Sequence, residues 1–295
     1  MALVLARERQ GIMVMVIDKI KSKLTSRNIQ LAIGLLWLVN GLLQLQPKMM
    51  TSAFANKVIV PAASGQPVFV RDPMHFAVSL ILSHPAFFDV CFGLAQLAIG
   101  ALIIFKKTAR TGLIASAIWG LGVWYFGEGA GGIFSGHALL LTGAPGAALL
   151  YALISLGVIG PSKQPADWLK YVWTGLWVGS GLLLLWARAT PALLSHMVFN
   201  MSNGAPNWIA SIDRHAASWL AAKNSWQLLI FVGVYFAIGL SALIRSSWRY
   251  LGIGAGIIIA LFIWIVGQSL GGYYTGLATD LNTAPLIILL ALSIF

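Results

Sequence analysis

The chain has 295 residues, of which 59% are hydrophobic and only 9% charged, where an ordinary soluble domain carries about 25% charged residues. That composition excludes a water-soluble globular domain and calls for a bilayer around most of the chain. The formal net charge of +11 does not mark a nucleic-acid binder, because the basic residues fall in short clusters between apolar runs instead of on one continuous face.

Arg7 and Glu8 interrupt the first apolar stretch, so the N-terminus does not read as a cleaved signal peptide. Over 12–24, Val16, Ile17, Ile20 and Leu24 recur at helical spacing, with Lys19, Lys21 and Lys23 on other faces. This pattern fits a helix lying on an anionic membrane surface, or equally a solvated cytoplasmic helix. Residues 1–28 form this N-terminal segment.

Eight apolar segments then follow, near 29–46, 85–105, 112–132, 144–160, 171–186, 227–244, 250–268 and 284–295. Each is close to the length an apolar helix needs to cross a bilayer. The expected fold is all-α: a polytopic membrane protein with about eight transmembrane helices in two four-helix units, 29–160 and 171–295. The last segment stops abruptly at Phe295, which suggests a chain that continues. Between the segments, Lys106, Lys107, Arg110, Lys163, Lys170, Arg245 and Arg249 fall on the same side as the basic N-terminus. Retention of Lys and Arg on the cytoplasmic side then places both termini there, in a multi-pass protein of a cell membrane. The long stretches 47–84 and 187–226 face outward. Their apolar clusters, Phe69 to Leu82 and Trp208 to Leu220, are too broken by polar residues to span and read as ordered interfacial helices.

Self-similarity at an offset of 140 is the strongest pattern. Trp124-Tyr-Phe-Gly-Glu-Gly-Ala-Gly-Gly-Ile-Phe-Ser-Gly136 lies against Trp264-Ile-Val-Gly-Gln-Ser-Leu-Gly-Gly-Tyr-Tyr-Thr-Gly276, and Ala144-Pro145 against Ala284-Pro285. Over 112–145 and 252–285 about 13 of 34 positions are identical, which points to a duplication. Trp37 and Gly41 meet Trp177 and Gly181 at the same offset, and His75 meets His215. With an even number of spans per copy, the two units enter the membrane in the same direction, related by an axis along its normal. The glycines of the repeated stretch fit close helix packing; a phosphate cradle would need a preceding strand and a following helix start.

Polar residues inside apolar runs are the candidate site. Glu128 is costly at the end of the third segment and needs a cavity or a partner; its counterpart is Gln268, the same shape without charge. Asn40, Gln96 and Glu128 come from three segments of one copy and could share a pocket, with Gln268 as the second half of that pocket or as a relic. Asp89, Asp280 and Asn282 are further polar candidates. Trp124 and Trp264 supply aromatic, amphipathic walls. The five histidines, among them His75 and His215, all fall on the outer side with several methionines, a combination that suits copper(I). None shows paired ligand spacing, and no metal site is assigned. Cys91 reads as a small buried apolar side chain and leaves no disulfide or thiolate zinc site.

Trp37-Leu-Val-Asn-Gly41 in the first segment, and the run from His84 through Gln96 to the basic turn at Lys106-Lys-Thr-Ala-Arg110, resemble the DoxX/DoxD superfamily of small four-span membrane proteins. Gln96 stands near that family's usual acidic position. The resemblance implies two fused four-helix units and, by the DoxD example, a membrane subunit of a quinone-linked oxidoreductase. The cofactor it implies is a bound quinone or lipid-like molecule, and the partners are the lipid bilayer and other membrane or extracytoplasmic subunits. It carries over no catalytic residue. The absence of GxSxG, HExxH and dinucleotide motifs argues against catalysis by this chain alone. The competing expectations are a small-solute transporter or channel, since tandem repeats place sites at their interface, and a scaffold subunit.

Overall fold

The computed structural model describes residues 22–187 and 189–295, so the basic amphipathic stretch over 12–24 lies almost wholly outside the described residues. All regular elements among them are helical, with no strand. Helix α1, Ser26–Gln44, starts where the Thr25 side chain accepts from Asn28 N, satisfying a donor that a helix start leaves open. A short outer segment, Ser52–Phe54 with a π-helical turn Ala55–Ile59 and Val60–Ala63, leads to α2, Val68–Ser83. Then come α3, Pro85–Ile104, α4, Ala109–Phe126, and α5, Ala147–Val158. The second half repeats the order: α6, Leu169–Trp186; the outer helices α7, Pro191–Met201, and α8, Asn207–Ala221; then α9, Ser225–Ser241, α10, Trp248–Ile265, and α11, Thr283–Ile294.

In the first half α1 packs on α3, α3 on α4 and α4 on α5; in the second, α6 packs on α9, α9 on α10 and α10 on α11. The halves meet through α5 and α11, which touch each other and also reach α1 and α6. Both are short, apolar on all faces and buried over most of their length, as a central helix must be. The core joining them includes Ile33, Trp37, Ile154, Trp173, Trp177, Ile287 and Leu290. The α1–α3 seam depends on glycine: a Cβ on Gly100 would stand 2.7 Å from Gly34 O, and one on Gly41 would stand 2.9 Å from Gly93 O. Arg27 donates to the carbonyls of Ile103 and Ile104 at the end of α3, and Arg249 donates to Ile294 O at 2.5 Å. Basic side chains thus close two helix C-termini, where the open carbonyls and the dipole favour them.

The helices coincide with the eight apolar segments, but the expected count of eight membrane-crossing helices is not met. Among the described residues two are long and apolar enough, Pro85–Ile104 and Trp248–Thr275, or up to four if each of two bent helix pairs is one span. The reasons are local. Helices α1 and α4 carry Arg27, Asn28, Gln30, Asn40 and Gln44, and Arg110 and Thr111. Helices α5 and α11 have 12 residues each, about 18 Å of helix against a hydrocarbon core of about 30 Å. The third segment does not run on to 132 but stops at Phe126, and its glycines form no helical packing stripe. Gly129, Gly131, Gly132 and Gly136 instead have φ between 56° and 77°, left-handed values that glycine adopts without a Cβ clash.

The stretches 47–84 and 187–226 contain the expected helices, α2 and α8, together with the π-turn and α7, which no sequence pattern announced. Cys91, expected to be buried, is exposed. It stands on the outward side of α3 with Phe87 and Leu94, and large apolar side chains are exposed along α1, α4, α6, α9 and α10 as well.

Candidate functional site

Two loops bring the functional side chains together. In the first half the chain leaves α4 at Gly127 and makes a left-handed 3₁₀ turn, Ala130–Ser135. It then returns through a cis Ala144–Pro145 bond to the start of α5. Glu128 reaches back across this loop and accepts from Ala148 N at 3.1 Å, so its carboxylate closes the N-terminus of α5. Gly146, at φ 105°, makes room: a Cβ there would lie 2.2 Å from Glu128 Oε2. Trp124 fastens the loop by donating its indole N–H to Pro145 O at 2.7 Å.

The second loop has the same construction. Trp264 donates to Leu281 O at 2.8 Å, and Gln268 Oε1 accepts from Ala284 N at 3.2 Å, at the start of α11. Gly271, Gly272 and Gly276 repeat the left-handed values at φ 77°, 63° and 75°. These pairs correct the alignment. Trp124 and Trp264 keep the offset of 140, but Pro145 corresponds to Leu281 and Ala148 to Ala284, so the second loop is four residues shorter. The match of Ala144-Pro145 with Ala284-Pro285 is therefore not a structural equivalence. The loops also interlock: Gln268 Nε2 donates to Leu140 O at 3.2 Å, and Thr283 Oγ1 donates to Gly143 O.

Beneath the first loop lies a cavity of about 330 Å³ bounded by α1, α2, α3, α4, α5 and the π-turn. Its walls are apolar: Phe54, Ile59, Ile81, Phe92, Ile118, Val123 and Phe126. Ile118 and Phe126 also lie on the exposed face of α4, so the cavity borders the apolar exterior. The rest of the lining carries polar groups, from Asn40, Gln44, Gln96, Trp119, Tyr151, Glu128 and Asp280. Asn40 Nδ2 donates to Tyr151 Oη at 3.0 Å, while Asn40 Oδ1 and Trp119 Nε1 are buried without a partner. Trp37 stacks on Tyr151 at 4.3 Å between ring centres and fixes that wall. Asp280 comes from the second half. It accepts from Thr279 Oγ1 at 2.8 Å and from Asn282 N at 2.5 Å. Burial pushes its carboxyl above the ordinary range of 3.8, and these two hydrogen bonds oppose the rise.

A second cavity, about 610 Å³ and lined by polar and apolar groups in similar measure, lies on the other side of the same loop. The two share Val58, Gly127, Glu128, Thr279 and Asp280, so both carboxylates stand in the wall between them.

Of the residues singled out from sequence, the structure brings Asn40, Gln96 and Glu128 into one cavity. Gln268 lines neither cavity and is not the far side of a shared pocket. Trp124 and Trp264 line neither cavity and instead hold the loops together through their N–H groups on Pro145 and Leu281. His75 and His215 are exposed; His215 Nδ1 donates to Ser211 O at 2.7 Å. Asp89 is buried and accepts from Gln44 Nε2 behind the cavity. Among the described residues no three His, Cys, Asp or Glu side chains come together as a metal site. Tyr151, Trp119, Asp280 and Gln66 are the site residues that sequence reasoning left out or underweighted. Tyr151 had a signal, as a phenol inside an otherwise apolar helix.

Compared with protein families, with curated proteins and with solved structures, the chain matches none.

Proposed function

We propose that the chain is a multi-pass membrane protein, formed by duplication of a four-helix unit, that holds a quinone or a lipid-like molecule in the first-half cavity. In this reading it is a non-catalytic membrane subunit of a quinone-linked oxidoreductase, with both termini cytoplasmic. Membrane residence is supported by the large apolar side chains exposed along six helices, where a soluble monomer rarely exposes extended apolar surface. Duplication is supported by the two loops, which repeat the same indole clasp, left-handed turns and helix cap.

The observation that carries the ligand assignment is one cavity that combines a largely apolar lining with a few polar side chains. The unpartnered Trp119 N–H is a donor and the unpartnered Asn40 Oδ1 an acceptor. A quinone ring offers carbonyl acceptors, and the quinol offers hydroxyl donors, so both forms find partners while the apolar body lies against Phe92 and Ile118. The exposed edge at Ile118 and Phe126 gives entry from lipid. The basic turns collect at the opposite end of the bundle from the loops, which supports a site near the outer face.

The test is titration of the purified chain, in nanodiscs freed of quinone, with a short-tailed quinone followed by tryptophan fluorescence. Saturable quenching is expected, weakened about tenfold by Asn40→Leu, which removes one good buried polar contact. Absence of saturable binding, together with no quinone or lipid retained on purification, would overturn the reading.

A further inference from the structure

We propose that the larger cavity, of mixed lining, above the loop is a binding site for a small organic cation, a protonated alkyl amine, held by Glu128, Asp280 and Gln66. This stands on observations separate from those behind the quinone reading.

The lining is rich in acceptors and poor in charge of the opposite sign. Glu128 and Asp280 both line the cavity, and among the described residues no lysine or arginine does, His137 being the one basic side chain there. Neither carboxylate forms an ion pair; the two ion pairs among the described residues are Arg71–Asp72 and Lys170–Asp167. Gln66, 6% exposed, lines the same cavity. Its Nε2 donates to Gly129 O at 2.8 Å, and its Oε1 is left buried with no partner. An unpaired buried acceptor costs about 1–3 kcal/mol, so three acceptor groups around one space call for an occupant that donates.

The charge on Glu128 is not explained by its structural task. Gln268 closes the start of α11 through the same N–H contact with a neutral amide, so the cap on α5 does not need a carboxylate. What Glu128 adds over glutamine is negative charge, in the same wall as the carboxylate of Asp280. An isolated pair of buried carboxylates is unfavourable unless a proton or a cation joins them.

The occupant's class follows from size and ligand number. A divalent metal takes six or more oxygen ligands, or a cluster of imidazole, thiolate and carboxylate groups, and no such group of three is present among the described residues. An ammonium group has three N–H donors, matching Glu128, Asp280 and Gln66 one for one. The cavity, about 610 Å³, is far larger than a bare ion, and Pro61, Ala62, Leu139 and Leu277 give its alkyl part apolar contacts. Because both carboxylates also line the apolar cavity, amine binding would neutralise two of the polar groups that line it.

The test is calorimetric titration of the full chain in nanodiscs at pH 7 with n-propylammonium, tetramethylammonium and sodium. Saturable binding of n-propylammonium alone is expected, weakened at least tenfold by Asp280→Asn or Gln66→Leu and abolished by Glu128→Gln with Asp280→Asn. Thermal unfolding of each variant separates loss of the site from loss of the fold. Gly122→Leu separates the two cavities: Gly122 lines only the apolar one, and a Cβ there meets nothing within 4 Å. That variant should lose quinone and keep the amine. No binding of n-propylammonium, undiminished binding in the double variant, or equal binding of sodium or tetramethylammonium would each overturn the proposal.

Discussion

The loop after α4 and the loop after α10 are built alike and serve different ends. Each leaves its helix through a left-handed run of glycines, is clasped by an indole N–H, and closes the next helix with a side chain at the same position. In the first loop that side chain is Glu128, open to two cavities; in the second it is Gln268, buried at 2% exposure and bound at both ends of its amide. The surroundings diverge in the same sense. At the offset of 140 Asn40 becomes Ser180, whose hydroxyl turns back to Leu176 O at 2.6 Å. At the structural offset of 136 Tyr151 becomes Ile287. Shape is held in both loops while polarity is kept in one, so the geometry of the loop belongs to the fold and the charge to the site.

The largest break in this comparison should come from the glycine turns. A Cβ at Gly131 would fall 1.7 Å from Pro145 O, and at Gly271 2.7 Å from the Leu281 backbone, both at positive φ. Gly131→Ala is expected to cost more than about 3 kcal/mol, and Gly271→Ala less, by thermal unfolding in detergent. An equal, small effect of both would show that the loops are not clamped. Exchanging the caps should be unequal as well. Gln268→Glu places a carboxylate against Leu140 O, which loses its donor, at a cost of about 2–4 kcal/mol. Glu128→Gln keeps the acceptor for Ala148 N and should change stability by less than about 1 kcal/mol. A larger loss from Glu128→Gln would make its charge structural.

Trp124→Phe and Trp264→Phe each remove one indole-to-carbonyl bond. Both are expected to lower stability by about 1 kcal/mol, and a markedly larger loss at one would show which loop is under more strain. The smallest effect is on pH dependence. Burial raises Asp280, so its neutral form is favoured in the folded protein. Its contribution to stability is full below 3.8 and is lost as pH rises through the raised value. Amine affinity should run the other way, increasing over the same window as the carboxyl ionises, with Glu128, His137 and Tyr151 the other titratable groups facing it. Asp280→Asn should flatten the Asp280 part of both curves.

Much of this architecture is written in local patterns. Apolar runs marked the eight principal helices, and the recurrence of Trp, Gly-Gly and Gly at an offset of 140 marked two loops of one construction. Identity alone misaligned their far ends, because Ala-Pro recurs by composition while the hydrogen bonds of Trp124 and Trp264 register the chain four residues away. Glycines serve helix packing and left-handed turns alike, so their spacing fits a packing face and only φ distinguishes the two. The spans were overcounted because length and apolarity vary within a helical segment, and a boundary such as Phe126 depends on where the chain turns left-handed.

What the sequence by itself determined was the helical class, the apolar exterior, and the pairing of Glu128 with Gln268. Those are properties of residue type and spacing, and side-chain periodicity carries them. Only the tertiary structure decided that Asn40, Gln96, Tyr151 and Glu128 share one cavity, that Asp280 crosses from the other half to join them, and that Gln268 does not. Such a site depends on how helices are rotated and how loops interlock, and those are fixed by close approaches such as Gly34 on Gly100, which span far more of the chain than any local pattern can report.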